Sequence, residues 1–67
     1  MQQTFSIEGM HCGACVARVT RALEPLADRV EVTLDPPRAV LDVPRALDPA
    51  AVRTAVAAAG RYVAAPA

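Results

Sequence analysis

The sequence TFSIEGMHCGACVARVTRAL, residues 4–23, decides the fold because two different periodicities meet inside it. Residues 4–7 alternate polar and apolar side chains, as a half-buried strand does. From residue 16 onwards, apolar side chains recur at the spacing of one helix face: Val16, Val19, Leu23 and Leu26. The stretch therefore predicts a strand, a short loop and then a helix.

The loop between these two elements, Gly9–Cys15, contains both cysteines, the only histidine and two of the three glycines. Two thiols separated by two residues can face one ion if the backbone bends, and Gly13 is expected to supply the bend through a positive φ. Cys15 is predicted in the first helical turn, where the helix dipole favours a thiolate, and Cys12 in the exposed loop before it. Two sulfurs alone suit Cu(I) better than zinc, which takes four ligands.

The remaining sequence predicts a hairpin, a second helix and a last strand. Residues 29–34 and 38–43 alternate around an Asp-Pro-Pro turn, with Ala39, Leu41 and Val43 inward. Asp48 and Pro49 are typical of a helix start, and the inward positions of that helix are Val52, Ala55, Val56 and Ala59. Gly60 is expected as the left-handed residue after the helix, and residues 61–65 as the final strand.

The order βαββαβ predicts an α+β fold, a ferredoxin-like sandwich in which two helices cover one face of a four-stranded antiparallel sheet. The length of 67 residues predicts a single domain, 1–67, with a small core, because fifteen residues are alanine.

Charge and hydropathy argue against several classes of partner. Seven arginines balance seven acidic residues, lysine is absent, and like charges do not cluster, so neither nucleic acid nor a membrane surface is expected to bind. No apolar stretch is long enough to embed the chain in a membrane, and no leader is recognised at residues 1–3, so the cytoplasm is the expected location. Thiols stay reduced there, which favours ligands or redox groups over a structural disulfide.

The loop resembles the heavy-metal-associated domain, the family of small copper chaperones and of the N-terminal modules of copper-transporting ATPases. The resemblance covers nearly the whole chain, and the residues that carry it are Gly9-Met10-His11-Cys12-Gly13-Ala14-Cys15, Val16, Val19, Leu23, Val52, Ala55, Val56 and Gly60. It implies a metal carrier and not an enzyme, with Cys12 and Cys15 as ligands of Cu(I), or alternatively of Zn(II) or Hg(II). No catalytic residue is expected.

Three further residues are expected to support this site. The resemblance implies that Met10 packs under the loop, with a role as a thioether ligand as the alternative. His11 is expected to stay in solvent, with a role as a third ligand as the alternative. It also implies that the residue after Gly60 faces the loop, where the family has lysine in eukaryotic chaperones, tyrosine in many bacterial chaperones and phenylalanine in ATPase modules. Arg61 would then offset the net charge of −1 on two thiolates around Cu(I). Tyr62 is expected to pack at the sheet edge.

The predicted function is a cytosolic Cu(I) metallochaperone that transfers copper to a copper-transporting ATPase, or to its metal-binding domain, by cysteine ligand exchange. The chain would be a monomer without metal, and two copies could share copper through their exposed loops. Arg18 and Arg21 form either a plain solvated helix face or a steering surface for an acidic partner. The alternatives are an ATPase module and, from another class, a small thiol-disulfide oxidoreductase, since Cys-x-x-Cys at a helix start also lowers a thiol pKa.

Overall fold

The computed structural model describes residues 1–67 and confirms the predicted ferredoxin-like fold. The strands are β1 Gln2–Glu8, β2 Arg29–Leu34, β3 Pro37–Asp42 and β4 Val63–Pro66. The helices are α1 Gly13–Leu23 and α2 Pro49–Ala59, and a 3-10 turn, Glu24–Leu26, extends α1. Pro25 lies in that turn, as expected from a residue that cannot continue the hydrogen bonding of an α-helix. Neither α1 nor α2 has the length and hydropathy of a membrane-spanning helix.

The four strands form one antiparallel sheet in the order β2-β3-β1-β4. The central strand β1 pairs with β3 on one side and with the edge strand β4 on the other. Glu8, the last residue of β1, lies opposite Val63, the first residue of β4. The loop that leaves β1 and the loop that enters β4 therefore lie side by side at one end of the sheet.

The core is entirely apolar apart from one tyrosine hydroxyl. No charged side chain is buried. The predicted inward positions of the first helix, of the third strand and of the second helix are confirmed. Four of them are only partly buried and pack against the core from its margin: Val16, Leu26, Ala55 and Ala59. The twelve buried residues are Phe5, Ile7, Met10, Val19, Leu23, Ala39, Leu41, Val43, Val52, Val56, Tyr62 and Ala64.

The last strand differs from the prediction in its position. It was expected over residues 61–65 but spans Val63–Pro66, so Arg61 and Tyr62 belong to the loop between α2 and β4. Pro66 is the last residue of the strand and lies opposite Phe5. A proline is accommodated there because β4 is an edge strand and one side of its backbone needs no partner.

The start of α2 is fixed by two polar side chains. The Asp48 carboxylate accepts a hydrogen bond of 2.9 Å from the N–H of Ala50, which confirms Asp48 as the residue that caps the helix. The Gln3 amide donates to the carbonyl of Leu47 at 3.2 Å and accepts from the N–H of Leu47 at 2.6 Å. These bonds tie the segment before α2 to the central strand.

Replacing Asp48 with alanine should lower the free energy of unfolding by about 1 kcal/mol, because it removes the acceptor for one free N–H of the first helical turn. Urea denaturation followed by circular dichroism measures the change. Asp48→Asn should keep most of the stability, because asparagine caps helices as well as aspartate does. Equal losses in both variants would contradict a role in capping.

Candidate metal centre

The backbone at the start of α1 leaves the sulfur of Cys12 free. Cys12 is the capping residue of α1, with extended backbone angles of φ −158° and ψ 177°. Its carbonyl accepts hydrogen bonds from the N–H groups of Cys15 at 3.1 Å and Val16 at 3.2 Å, whereas its side chain makes no capping bond. No acidic residue lies in the first turn of α1, so the positive end of the helix dipole is not neutralised from within the helix.

The two sulfurs are close enough to bind one ion. The Sγ atoms of Cys12 and Cys15 are 3.9 Å apart, and both thiols are free. A disulfide would need about 2.0 Å. Two metal–sulfur bonds of about 2.3 Å can join sulfurs up to about 4.6 Å apart, so this separation fits a bound soft metal. Cys12 is exposed and Cys15 partly buried, which places the pair at the surface.

The surroundings of Cys15 favour its thiolate. Its pKa falls from the ordinary value of 9.0 to about 7, chiefly because the Tyr62 hydroxyl stabilises the ionised sulfur. The backbone of His11 and the backbone and side chain of Cys12 act in the same direction, while burial of the thiol opposes them. The same interaction with Cys15 raises the pKa of Tyr62, whereas Arg18 acts to lower it.

Tyr62, which the sequence analysis assigned to the sheet edge, therefore belongs to the site. Its side chain is only 7% exposed, and its ring fills space left by two glycines. A Cβ atom at Gly60 would lie 2.8 Å from Cε2 of the ring, and one at Gly9 would lie 3.4 Å from Cδ1. A signal for this placement exists in the sequence, because Tyr62 and the buried Ala64 share one face at the spacing of a strand.

The loop Gly9–Cys15, here called the metal loop, bends at Gly9 and not at Gly13. Gly9 has a φ of 99°, the only positive φ outside the extended range, and a Cβ there would lie 2.5 Å from the carbonyl oxygen of Arg61. Gly13 is the first residue of α1 and has open space around it. The expectation for Gly13 was wrong because the sharp turn is needed where the chain leaves β1 and passes the backbone of Arg61.

Gly60 also differs from its expected role. Its φ of 160° and ψ of −158° are extended angles, so it is not a left-handed residue that ends α2. Its missing side chain matters instead because it gives the Tyr62 ring its place.

The other predicted residues lie near the cysteines and contribute in different ways. Met10 is buried in the core. His11 is exposed, and it affects Cys15 through its backbone. Arg61 is exposed, its guanidinium makes no hydrogen bond or ion pair, and it is not among the groups that shift the pKa of Cys15. Arg61 meets the metal loop through its backbone carbonyl, next to Gly9.

Comparison with known proteins identifies the family to which this fold belongs. The model of the heavy-metal-associated domain matches residues 4–61, and the chain belongs to that family. A comparison with curated protein sequences gives no match.

Three solved structures illustrate the similarity. The N-terminal domain of PacS from Synechocystis PCC6803 has a TM-score of 0.85 and 26% identity, over 100% of this chain and 97% of that one. The apo-form N-terminal domain of ZntA has a TM-score of 0.83 and 26% identity, over 98% of this chain and 90% of that one. The CopZ metallochaperone has a TM-score of 0.78 and 25% identity, over 97% of this chain and 100% of that one. A metallochaperone and the N-terminal domains of two other proteins thus share this fold.

Replacing Tyr62 with phenylalanine should raise the pKa of Cys15 from about 7 towards 9.0, because the hydroxyl that stabilises the thiolate is lost. The measurement is the rate of alkylation by iodoacetamide against pH, in a Cys12→Ser background so that one thiol reports. The midpoint of the rate profile should move to higher pH. Arg61→Ala is the matched control and should leave the midpoint in place. A midpoint that moves in Arg61→Ala and not in Tyr62→Phe would reassign the effect to the charge of Arg61.

Replacing Gly9 with alanine should lower the free energy of unfolding by about 2 kcal/mol or more, because the new Cβ meets a backbone carbonyl and the positive φ is strained. Gly13→Ala is the control and should leave stability unchanged or raise it by up to about 1 kcal/mol, since the site is open and alanine favours helix. Chemical denaturation of both variants checks this. A larger loss in Gly13→Ala would mean that the bend lies at Gly13.

Proposed function

We propose that this protein binds one Cu(I) ion between Cys12 and Cys15 and carries it to a partner protein. The observation that supports this most directly is the pair of free sulfurs 3.9 Å apart at the start of α1. The chain assembles no group of three or more histidine, cysteine or carboxylate side chains, so it offers two ligands. Cu(I) accepts two thiolates, whereas Zn(II) would need further ligands from outside the chain. Hg(II) is the competing cargo, because it also prefers thiolates.

The electrostatics of the site support binding of a singly charged ion. Two thiolates and one Cu(I) carry a net charge of −1. The positive end of α1 and the Tyr62 hydroxyl lie beside the sulfurs and offset that charge without a cationic side chain in contact. Because Cys15 is ionised in part near neutral pH, metal binding releases less than one full proton from this thiol.

Transfer would proceed by exchange of thiolates at the metal. An incoming partner thiol loses its proton to solvent and forms a sulfur–copper bond, after which the bond to the exposed Cys12 breaks and that sulfur takes up a proton. A second exchange then releases Cys15, which is partly buried and stabilised by Tyr62. Copper stays Cu(I) throughout, so no oxidant or reductant is consumed.

A free-standing chaperone in the cytoplasm is favoured over an ATPase module by the residue next to the metal loop. The sequence analysis gave that place to Arg61, the residue after Gly60, but the side chain that acts on Cys15 is that of Tyr62. The family resemblance associates a tyrosine that faces the loop with many bacterial chaperones and a phenylalanine with ATPase modules. The partner would then be a copper-transporting ATPase or its metal-binding domain. A reducing compartment such as the cytoplasm would keep both thiols available.

Cys12→Ser and Cys15→Ser should each abolish tight Cu(I) binding and leave the fold intact, because neither thiol belongs to the buried core. Native mass spectrometry with Cu(I), Zn(II) and Hg(II), in the presence of glutathione, gives the metal, the stoichiometry and any dimer in one experiment. The matched control is Ala17→Ser, which adds a hydroxyl to the exposed side of α1 without removing a sulfur. Copper retained by both cysteine variants would rule out the site.

Transfer needs its own test. Copper-loaded protein is mixed with the N-terminal domain of a copper-transporting ATPase and a chelator that reports free copper. Copper should reach the domain without passing through the chelator. Copper that reaches the domain only by way of the chelator would contradict the proposed chaperone function. It would not contradict the proposal that the protein binds Cu(I). Reduction of insulin disulfides by the metal-free protein would favour the oxidoreductase alternative.

A further inference from the structure

The two edge strands of the sheet differ in how well they are protected against pairing with another strand. β4 has four residues and ends in Pro66, which has no N–H to offer. β2 has six residues, contains no proline and pairs with β3 on one side only. The backbone groups on its other side are therefore free to continue the sheet into a further strand.

The free edge of β2 also has an uncovered apolar margin. Val30 and Val32 face the core but are only partly buried. Leu34 lies on the same face of the strand and is 39% exposed, one of three large apolar side chains at the surface. A further strand with apolar residues at matching positions would cover all three side chains.

The helix above this edge leaves room for a second copy. α1 packs over β2, whereas α2 packs over β4. Arg18, Arg21 and Ala22 of α1 line the side that faces α2. The opposite flank of α1, which lies towards the free edge of the sheet, carries the exposed residues Gly13 and Ala17. No long side chain of this flank covers the edge.

Two charged residues at the ends of β2 have no partner within the chain. Arg29 is the first residue of the strand, and Asp35 follows its last residue. Both are exposed, and neither side chain makes a hydrogen bond or an ion pair. The one ion pair of the chain joins the N-terminal ammonium of Met1 to Asp42, 3.8 Å apart. A strand that runs in the opposite direction would bring Arg29 and Asp35 of two copies face to face.

A second copy of β2 complements the first when a two-fold axis passes through Val32. Residues that lie directly opposite each other in an antiparallel pair have neighbouring side chains on one face of the sheet. In this register the apolar residues are opposite apolar residues, and the unpaired charges are opposite charges of the other sign. The pairs between the copies are Arg29 with Asp35, Val30 with Leu34, Glu31 with Thr33, and Val32 with itself.

Other registers are less favourable. Both helical layers stay on one side of the sheet only if the axis passes through a residue, because a shift by half a step turns the apolar face over. An axis at Glu31 would place that carboxylate opposite itself, and an axis at Thr33 would place Glu31 opposite Asp35. An axis at Val30 would pair only half of each strand and leave Leu34 exposed.

We propose that two copies of this chain associate through β2, in the register centred on Val32, and form one continuous sheet. The apolar margins of the two strands would cover each other, and two Arg29–Asp35 ion pairs would fix the register. The association uses neither cysteine, so it goes beyond the proposed function and does not depend on it. It needs no metal, in contrast to the metal-free monomer and the copper-sharing pair expected from the sequence.

The two-fold axis also determines where the metal sites would lie. It is perpendicular to the sheet and reverses the direction of every strand, so the metal loops of the two copies would point to opposite ends of the dimer. Each pair of sulfurs would remain as open to a partner as it is in a single chain.

Sedimentation velocity of the reduced, metal-free protein tests the association from about 10 µM to about 1 mM, the range of weak complexes. The sedimentation coefficient should rise from that of a monomer towards that of a dimer. The variant with both Cys12→Ser and Cys15→Ser is the control, and it should associate as the wild type does. A monomer at every concentration, or association that requires the cysteines, would overturn the proposal.

Nuclear Overhauser effects (NOEs) locate the contact. Val30 and Leu34 are about 13 Å apart along one extended strand, too far for an NOE within the chain, whereas across the proposed pair they are about 5 Å apart. A mixture of isotope-labelled and unlabelled protein selects NOEs between copies. NOEs between Val30 and Leu34 are expected. Their absence at a concentration that populates the dimer, or NOEs from Val63 of β4 in their place, would overturn the proposal.

A charge exchange tests the register. Arg29→Asp and Asp35→Arg should each raise the dissociation constant of the dimer about tenfold, because both ion pairs become like-charged contacts. The double variant restores opposite charges and should return to within about threefold of the wild type. Arg53→Asp, on the exposed side of α2, is the matched control and should change the constant less than about twofold. A double variant as weak as the single ones would overturn the proposal.

A lysine on each edge strand distinguishes β2 from β4. Leu34→Lys should weaken the dimer at least about tenfold, because it places a charge in the apolar margin, whereas Val63→Lys should leave association unchanged. Equal effects of the two substitutions would overturn the proposal. Leu34→Lys should still bind Cu(I), since Leu34 is not a ligand, so loss of the dimer and loss of the metal are separate results. A wild-type dimer that binds no Cu(I) would contradict the proposed function and support the association.

Discussion

The packing of Tyr62 between Gly9 and Gly60 is the constraint on which the metal end of this molecule depends. The loop after β1 and the loop before β4 lie very close together. The carbonyl oxygen of Arg61 occupies the space that a side chain at Gly9 would need. Both glycines are needed for that approach, one for its positive φ and one for its lack of a side chain. The same buried tyrosine is the main cause of the lowered pKa of Cys15, so the packing and the chemistry of the site have the same origin.

Local patterns were sufficient to predict most of the fold. The alternation of β1 and β2, the apolar face of α1 and the Asp48–Pro49 start of α2 depend on neighbouring residues only. The two cysteines could likewise be identified, because their spacing and their position between a strand and a helix lie within one short stretch. These are the parts of the molecule in which tertiary contacts agree with local preference.

The predictions from the sequence were wrong where segments distant in sequence contact each other. The carbonyl of Arg61, a residue 52 positions away in sequence, leaves no room for a side chain at Gly9, and no local pattern reveals this approach. The start of β4 was placed two residues too early. Successive side chains in an extended segment point to opposite sides. An error of one residue in the assignment of this loop therefore changes whether Arg61 or Tyr62 is predicted to face the cysteines.

The buried core contains neither Cys12 nor Cys15, and this separates the molecule from small domains that fold only around their metal. Metal bound at the two sulfurs would add stability by mass action, since the side chains that form the core are not its ligands. The empty and the loaded protein can therefore share one folded structure. A carrier built in this way gives up its ion without exposing apolar surface to proteases or to aggregation, and the same molecule can return for another cycle.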